Sequence, residues 1–161
     1  MFKKALGILL VIGLAFLALT QIRHALRSPS ERLMWRMGAM VEDFNDGRIR
    51  QLMAGFDVDF RDESSGALKP DVHSALAGLV LAERDPEANC FAIKAAWVTP
   101  FEPIFEEDET KAKAEVELRL THTSRGESCT WWEAKALISF VYRDGDWYLH
   151  RSRSVNHRDR S

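Results

Sequence analysis

The apolar positions of this chain follow two different periods. Between Leu33 and Val80 they recur every three or four residues, which is the period of an α-helix with one buried face. Beyond Cys90 they alternate with polar residues at every second position, which is the period of a half-buried β-strand. The pattern therefore predicts an α+β domain in which helices come first and an antiparallel meander follows.

The first predicted helix begins at Ser28, which stands directly before Pro29 and three residues before Glu31. Serine at the cap, proline at the first helical position and a glutamate that reaches back together predict a capping box. The helix ends at residues 45–47, whose sequence Asn-Asp-Gly favours a turn. Its apolar face contains Leu33, Met37, Met40, Val41 and Phe44.

Two further helices are expected before the strands. A short one contains Ile49, Leu52, Met53 and Phe56, and it is followed by a brief extended piece from Val58 to Arg61. Pro70 opens the next helix, which the pair Asp85-Pro86 closes. Its predicted buried face consists of Val72, Ala75, Leu76, Leu79 and Val80.

Four strands are predicted after Cys90, over residues 91–98, 111–123, 129–142 and 147–154. Turns are expected after Thr99-Pro100, around Gly126, and at Asp144-Gly145. The acidic residues 106–109 are expected to form a solvated hairpin tip.

Charges predict how the second and third of these strands pair. If paired residue numbers add up to 252, Arg119 faces Glu133 and Glu117 faces Lys135, so opposite charges meet twice on one face. The same register places Ala112, Ala114 and Val116 on the other face, which the helices must cover. That apolar face either lines an open cavity or is filled by Met37, Met40 and Phe44.

The N-terminal segment is expected to enter a membrane. Residues 5–22 carry no charge and approach the length of about 20 residues that a spanning helix needs. Lys3 and Lys4 before it also suit a secretory signal peptide, but residues 18–20 (Ala-Leu-Thr) make a poor cleavage site. The sequence predicts an uncleaved anchor in residues 1–27, a domain in residues 28–155 and a basic tail in residues 156–161, with cleavage left as the alternative.

The distribution of charge bears on both partners and topology. Residues 1–29 hold four of the 22 basic residues and none of the 24 acids, so the rest of the chain carries a net charge of about −6. This sign argues against nucleic acid as a partner, because such binding depends on basic residues that neutralise phosphates.

The basic residues on the two sides of the apolar run nearly balance in number. We expect a single-pass membrane protein with its N-terminus inside and its domain on the extracytoplasmic side.

Four stretches together span roughly residues 30–155: FNDGRIRQLMAGF, then FDVDF, the helix opened by Pro70, and finally FVYRDGDWYLHRSRS. They resemble the NTF2-like (SnoaL-like, cystatin-fold) superfamily. The resemblance implies a curved sheet wrapped around helices to form a cone. Members include isomerases and hydrolases that work inside the cone, ligand binders and assembly domains, so the fold alone does not choose a function.

The candidate pocket residues follow from the predicted last strand. A two-residue turn at Asp144-Gly145 would point Leu149 and Arg151 inward, whereas an odd-length turn would point His150 inward instead. An inward arginine needs an acid, which Asp59 would supply in this fold, with Asp57 or Asp62 as alternatives. The candidate ligand-pocket residues are Arg151, Asp59, Asp62, His122 and Trp132.

No metal, cofactor or catalytic motif is predicted. The histidines lack the short spacings of metal ligands, and there is neither a glycine-rich phosphate loop nor a nucleophile elbow. Cys90 and Cys129 begin strands at the same end of the sheet, but another strand is expected between them. Two strand spacings of about 4.8 Å each would separate them, which is too far for a disulfide unless one strand end moves away. The sequence therefore does not decide whether this disulfide forms.

The sequence thus favours a non-catalytic, membrane-anchored binding domain. Its partner would be an envelope protein or a small apolar ligand, and the alternative is a small-substrate isomerase or hydrolase with an acid or base inside the cone. Homodimer formation is also expected, through apolar residues on the outer face of the sheet that no helix covers. These interface candidates are Leu137, Val141 and Tyr148.

Overall fold

The structure is a computed structural model, and it describes residues 28–85, 90–124 and 126–158. The predicted anchor at residues 5–22 lies outside the described residues. Among the helices that are described, none combines the length and apolar composition that crossing a bilayer requires.

Three helices and six strands make up the described chain. The helices are α1 (Pro29–Asn45), α2 (Ile49–Ala54) and α3 (Lys69–Ala82). The strands are β1 (Phe56–Asp62), β2 (Ile93–Trp97), β3 (Ile104–Phe105), β4 (Lys111–Ser124), β5 (Glu127–Arg143) and β6 (Asp146–Arg158). They form one mixed sheet in the order β1-β6-β5-β4-β2, with β3 paired to β4 and with β1 parallel to β6.

The start of α1 is the capping box that the sequence predicts. The Ser28 hydroxyl accepts a hydrogen bond from the Glu31 backbone N–H at 3.2 Å, and the Glu31 carboxylate accepts one from the Ser28 N–H at 2.9 Å. Each bond satisfies a donor that has no partner within the helix. Local sequence alone therefore determines where this helix begins.

The predicted pairing of β4 with β5 is confirmed over most of its length. Partners add up to 252 from Lys111 with Val141 to Leu120 with Trp132, after which an irregularity shifts the register by one residue. The Arg119 guanidinium lies 2.7 Å from a carboxylate oxygen of Glu133, as expected. Lys135 faces Glu117 in the register, but its ammonium group pairs diagonally with Glu115.

Strand β3 was not predicted. It consists of two residues only, Ile104 and Phe105, so no alternation could reveal it. Phe105 packs edge-on against Trp147, with ring centroids 5.7 Å apart. The strand therefore helps to cover the end of the core next to the β5–β6 hairpin.

The core lies between α1, α2 and the inner face of the sheet. Trp147 is fully buried, and its indole N–H donates to the Pro29 carbonyl at 2.9 Å, which ties the start of α1 to the start of β6. Arg36 forms an ion pair with Asp146 close to the same point. Other buried residues of this core are Leu33, Met37, Met40, Leu52, Met53, Phe56, Phe60, Val116, Ile138, Phe140 and Leu149.

Helix α3 is less buried than its sequence predicts. Val72, Leu76 and Val80 are partly buried against the core, whereas Ala75, also expected inside, is exposed. None of its residues is fully buried, and Leu81 is 76% exposed. The helix packs on the rim of the core because α1 already covers the centre of the sheet.

Candidate functional site

The interior of the cone is filled where it faces the centre of the sheet. Leu33, Met37 and Met40 of α1 belong to the same buried cluster as Ala112 and Ala114 of β4. Alanine side chains are short, so they leave room for the helix to pack closely against the strand. Of the two predicted states of this face, the structure shows the filled one, although Phe44 is only partly buried.

A cluster of ionisable groups lies elsewhere, at the edge of the sheet where β1 meets β6. Its centre is Asp57, whose side chain is only 3% exposed. The Nδ1 atom of His150 lies 2.7 Å from one carboxylate oxygen of Asp57. The guanidinium of Arg143 binds both oxygens, at 3.2 and 3.3 Å. Among the described residues, Asp57 is the one fully buried ionisable residue, and both its partners reach solvent.

Two irregularities in strand pairing bring these groups together. Phe140 pairs with Leu149 and Ser139 with Arg151, so His150 is an extra residue in β6. The pairing of β1 with β6 is likewise interrupted between Phe56 and Arg61, which includes Asp57. Since the ladder is open at this point, the two side chains can turn toward each other.

The cluster lies on the outer face of the sheet. Tyr142 packs against the core, so Arg143, the next residue of β5, points to the opposite side. Burial alone would raise the pKa of Asp57, but the hydrogen bond from His150 and the charge of Arg143 outweigh it and lower that pKa. Asp57 is therefore ionised at neutral pH. It holds the imidazole through Nδ1 and leaves Nε2 free of this contact.

The prediction that Arg151 points into the cone is wrong. The two-residue turn and the inward Leu149 are both as expected, but the extra residue His150 reverses the alternation of β6 beyond it. Arg151 therefore lies on the same face as Ser139, opposite to Ile138 and Phe140. Its guanidinium donates to the Asp59 carbonyl at 2.6 Å, so Asp59 is a partner through its backbone rather than its carboxylate.

The remaining pocket candidates do not meet in one place. Asp62 binds the Ser65 hydroxyl at 2.6 Å and the Ser152 hydroxyl at 2.9 Å, and these bonds overcome the effect of burial and lower its pKa. His122 lies 3.1 Å from Glu83 and pairs with Cys129 at the far end of β5. Ile138, which neighbours Ser152, lies nine positions after Cys129 along β5, a distance of about 30 Å. Trp132 pairs with Leu120 and is half-buried.

The two cysteines are exposed and unbonded. Cys90 precedes β2, and Cys129 lies in β5. Strand β4 separates these two strands, as the sequence predicts, because His122 of β4 pairs with Ile93 on one side and with Cys129 on the other. Within the described part of the chain, no three side chains of the metal-binding types gather in one place.

One small cleft lies away from the cone. It has a volume of about 330 Å³ and lies between the end of α1, the end of α3 and the start of β2. Gly47 lines it with a backbone φ of 67°, which a glycine adopts without strain. Its other lining residues are Asn45, Asp46, Val80, Arg84, Cys90, Phe91 and Lys94.

Comparison with sequence-family models and with curated protein sequences finds no match. Solved structures do match. A proposed scytalone dehydratase from Novosphingobium aromaticivorans superposes with a TM-score of 0.63 at 15% identity, over 82% of this chain and 87% of that one. An NTF2-like protein with a cystatin-like fold from the same species gives a TM-score of 0.60 at 12% identity, over 87% and 84%.

The domain has the NTF2-like fold. A third match is a proposed calcium/calmodulin dependent protein kinase II association domain from Xanthomonas campestris, with a TM-score of 0.56 at 13% identity, over 73% of this chain and 80% of that one. Identities this low support the shared fold and nothing finer. The resemblance stated from the sequence is therefore confirmed for the fold of the domain.

The sequence pattern does not reveal the Asp57–Arg143–His150 cluster in this NTF2-like sheet. It offers Asp57 only as an alternative partner for Arg151 and places His150 on the face opposite to that arginine. One sign was present in FDVDF, where an acid directly follows a phenylalanine that must be buried. The bulge at His150 carries no proline or glycine that would have marked it.

Proposed function

We propose that this chain is a membrane-anchored NTF2-like module that acts by binding rather than by catalysis. Residues 5–22 hold it in the membrane, and the domain lies on the extracytoplasmic side of the cell envelope. The observation that carries the proposal is the filled cone. Side chains of α1 occupy the space in which an enzyme of this fold would hold its substrate.

The binding surface that we propose is the outer face of the sheet. Leu137, Val141 and Tyr148 are half-buried there, and Val141 pairs directly with Tyr148. The three helices pack on the inner face and leave this one uncovered within the described chain. An uncovered apolar group on a sheet suits a protein partner, and a second copy of the chain is the first candidate because a shared membrane raises its local concentration.

The test measures the mass of the full chain in detergent micelles by sedimentation. We expect a dimer for the wild type and a monomer for Leu137→Glu, which places a charge in the centre of the patch. Leu81→Glu is the matched control, because Leu81 is 76% exposed on the helical side and its charge should leave the dimer intact. A wild-type monomer at high micromolar concentration would reject self-association, and dissociation of both variants would reject the outer face as its site.

A second candidate function is small-substrate chemistry by the Asp57–Arg143–His150 cluster. An imidazole that is held by a carboxylate through Nδ1 has a defined orientation and is available as a base through Nε2. This arrangement would place the chemistry on the outer face instead of inside the cone. It makes a clear distinction: His150→Gln would abolish an activity of this kind, but it would leave a dimer formed through Leu137 unchanged.

A further inference from the structure

We propose that Arg61, Arg151 and Arg153 form a docking site for the anionic headgroups of the membrane that holds the chain. We call these three residues the arginine patch. The inference rests on the proposed anchor at residues 5–22, but it concerns a different part of the molecule. It predicts that a single domain lies down on an anionic bilayer instead of hanging free from its anchor. Arg153 is the direct cross-strand partner of Leu137, so docking and self-association through Leu137 compete for the same face.

The strand register brings the three arginines together. Arg61 of β1 is the direct partner of Arg151 of β6 in the parallel ladder, and neighbouring strands lie about 4.8 Å apart. Arg153 follows two residues later on the same face, about 7 Å further along the strand. Phe60 precedes Arg61, and Ser152 stands between Arg151 and Arg153. Both point to the other side of the sheet, where Phe60 is buried.

The charges of the patch are not neutralised within the described structure. Arg151 donates to two backbone carbonyls, those of Asp59 and His150, and among the described residues no ion pair joins any of the three to a carboxylate. The two acids of β1 that are not fully exposed already have other partners. Asp57 binds Arg143 and His150, and Asp62 binds Ser65 and Ser152. Asp59 and Glu63 are exposed at the same edge and form no ion pair with the patch.

This differs from the rest of the outer face, where cations are paired. Arg119 binds Glu133, and Lys111 and Lys113 both lie within 4 Å of Glu106. Like charges that lie directly opposite each other on neighbouring strands destabilise a sheet. A domain whose sequence is acidic overall nevertheless keeps Arg61 and Arg151 in such a position, and an external anion would offset their repulsion.

The short length of chain between the domain and the proposed anchor favours a lipid headgroup as the anion. The chain enters the domain at Pro29, whose carbonyl binds Trp147 on β6. Arg151 and Arg153 follow Trp147 on the same strand by four and six residues, which correspond to about 13 and 20 Å. Residues 23–28 can span about 20 Å when extended, so the patch is within reach of the bilayer surface. Guanidinium groups bind phosphates through paired N–H donors, which suits lipid headgroups.

The experiment uses the full chain reconstituted into vesicles that contain a dansyl-labelled lipid. All five tryptophans lie at or beyond residue 35, so energy transfer from tryptophan to dansyl reports how close the domain lies to the bilayer. Vesicles of phosphatidylcholine alone are compared with vesicles in which about a third of the lipid is phosphatidylglycerol. We expect higher transfer on the anionic vesicles, and we expect the difference to vanish in about 1 M salt, where the screening length falls to about 3 Å.

The test variant carries Arg61→Gln, Arg151→Gln and Arg153→Gln. Each arginine near an anionic surface contributes about a fivefold preference for the docked state, so the triple variant should shift the docked-to-free ratio by roughly a hundredfold. The matched control carries Lys111→Gln, Lys113→Gln and Arg119→Gln. It removes the same charge from the same face of the sheet but from paired residues, and it should behave like the wild type.

The outcomes separate this inference from the proposal on which it depends. If the chain does not float with either vesicle, the anchor is wrong and the inference is overturned with it. If it floats with both but transfer is equal on neutral and anionic lipid, the anchor stands and the docking site is rejected. An equal loss in both triple variants would assign the effect to overall charge and would also reject the patch. Near-ultraviolet circular dichroism of each variant verifies that it is folded.

Discussion

The side-chain amide of Asn45 pairs with the backbone of Ala95 in both directions. Its Oδ1 accepts from the Ala95 N–H at 2.6 Å, and its Nδ2 donates to the Ala95 carbonyl at 3.0 Å. Ala95 lies in β2, the edge strand of the sheet. Asn45, the last residue of α1, therefore forms with its side chain the hydrogen bonds that a further strand would form there. It satisfies two backbone groups that an edge strand leaves exposed to other chains.

Replacing Asn45 should therefore destabilise the domain and open its edge. We expect Asn45→Ala to lower the free energy of unfolding by about 1–3 kcal/mol, because two backbone groups lose their partner. Asn45→Asp keeps the acceptor and removes the donor, so its loss should lie between those of Ala and wild type. Urea unfolding followed by tryptophan fluorescence measures both. If Asn45→Ala unfolds at the same urea concentration as the wild type, water replaces the amide without loss of stability and the prediction is wrong.

Packing of α1 into the cone gives a second prediction. Met37 is 6% exposed within the core, so Met37→Ala should lower the free energy of unfolding by about 2–5 kcal/mol. Leu81→Ala, at a residue that is 76% exposed, should change it by less than about 0.5 kcal/mol. Urea unfolding of the two variants side by side provides the measurement. Equal small effects would mean that α1 does not fill the cone, and the proposal of a non-catalytic module would lose its main support.

The Asp57–Arg143–His150 cluster predicts a dependence of stability on pH. The pKa of Asp57 is lower in the folded state than the value of about 3.9 of an unfolded chain. Its stabilising effect is therefore complete above about pH 4 and is lost as pH falls through the lower, folded pKa.

The expected result is a difference between two curves. The wild type should lose stability below about pH 4 faster than Asp57→Asn, since the amide has no charge to lose. Urea midpoints at several pH values from 2.5 to about 7 measure this difference, and the range below about pH 4 reports on Asp57. Parallel curves for the two proteins would contradict the assignment of the low pKa to Asp57.

The N-terminal segment gives a prediction about the whole chain in cells. We expect the full protein to stay in the membrane fraction after alkaline carbonate extraction, whereas a chain that starts at Ser28 should be released. Edman sequencing of the extracted protein should begin at the first residues of the chain. A start near residue 20 would establish cleavage of a signal peptide and would reject the anchor.

Residues that act on near neighbours were predictable. The capping box joins Ser28 and Glu31, which are only three positions apart in the chain. The Asp144-Gly145 turn sets how β5 and β6 pair next to it. The register of β4 with β5 was also predictable, because opposite charges on one face and apolar residues on the other require the same alignment. Each of these features satisfies local chemistry and burial at once.

The face on which Arg151 lies was not predictable in this way. A bulge adds one residue, and that residue reverses every side chain beyond it, although no glycine or proline marks the position in the sequence. For this reason Arg151 does not point into the cone. The pairing of Arg143 and His150 with Asp57 depends on the same bulge, so the cluster could be seen only once β1 was placed beside β6.

By itself, the sequence determined the order of the helices and of all strands except β3, the ends of α1, most of the β4–β5 register and the expectation of an NTF2-like domain. These depend on periodicity, caps and turns, which act over a few residues or across one hairpin. Tertiary structure decided which charged residues meet, which face Arg151 and Arg153 occupy, and that the cone is filled by α1. Those outcomes depend on contacts between segments some 90 residues apart, such as Asp57 with His150, and on a bulge that no local signal in the sequence marks.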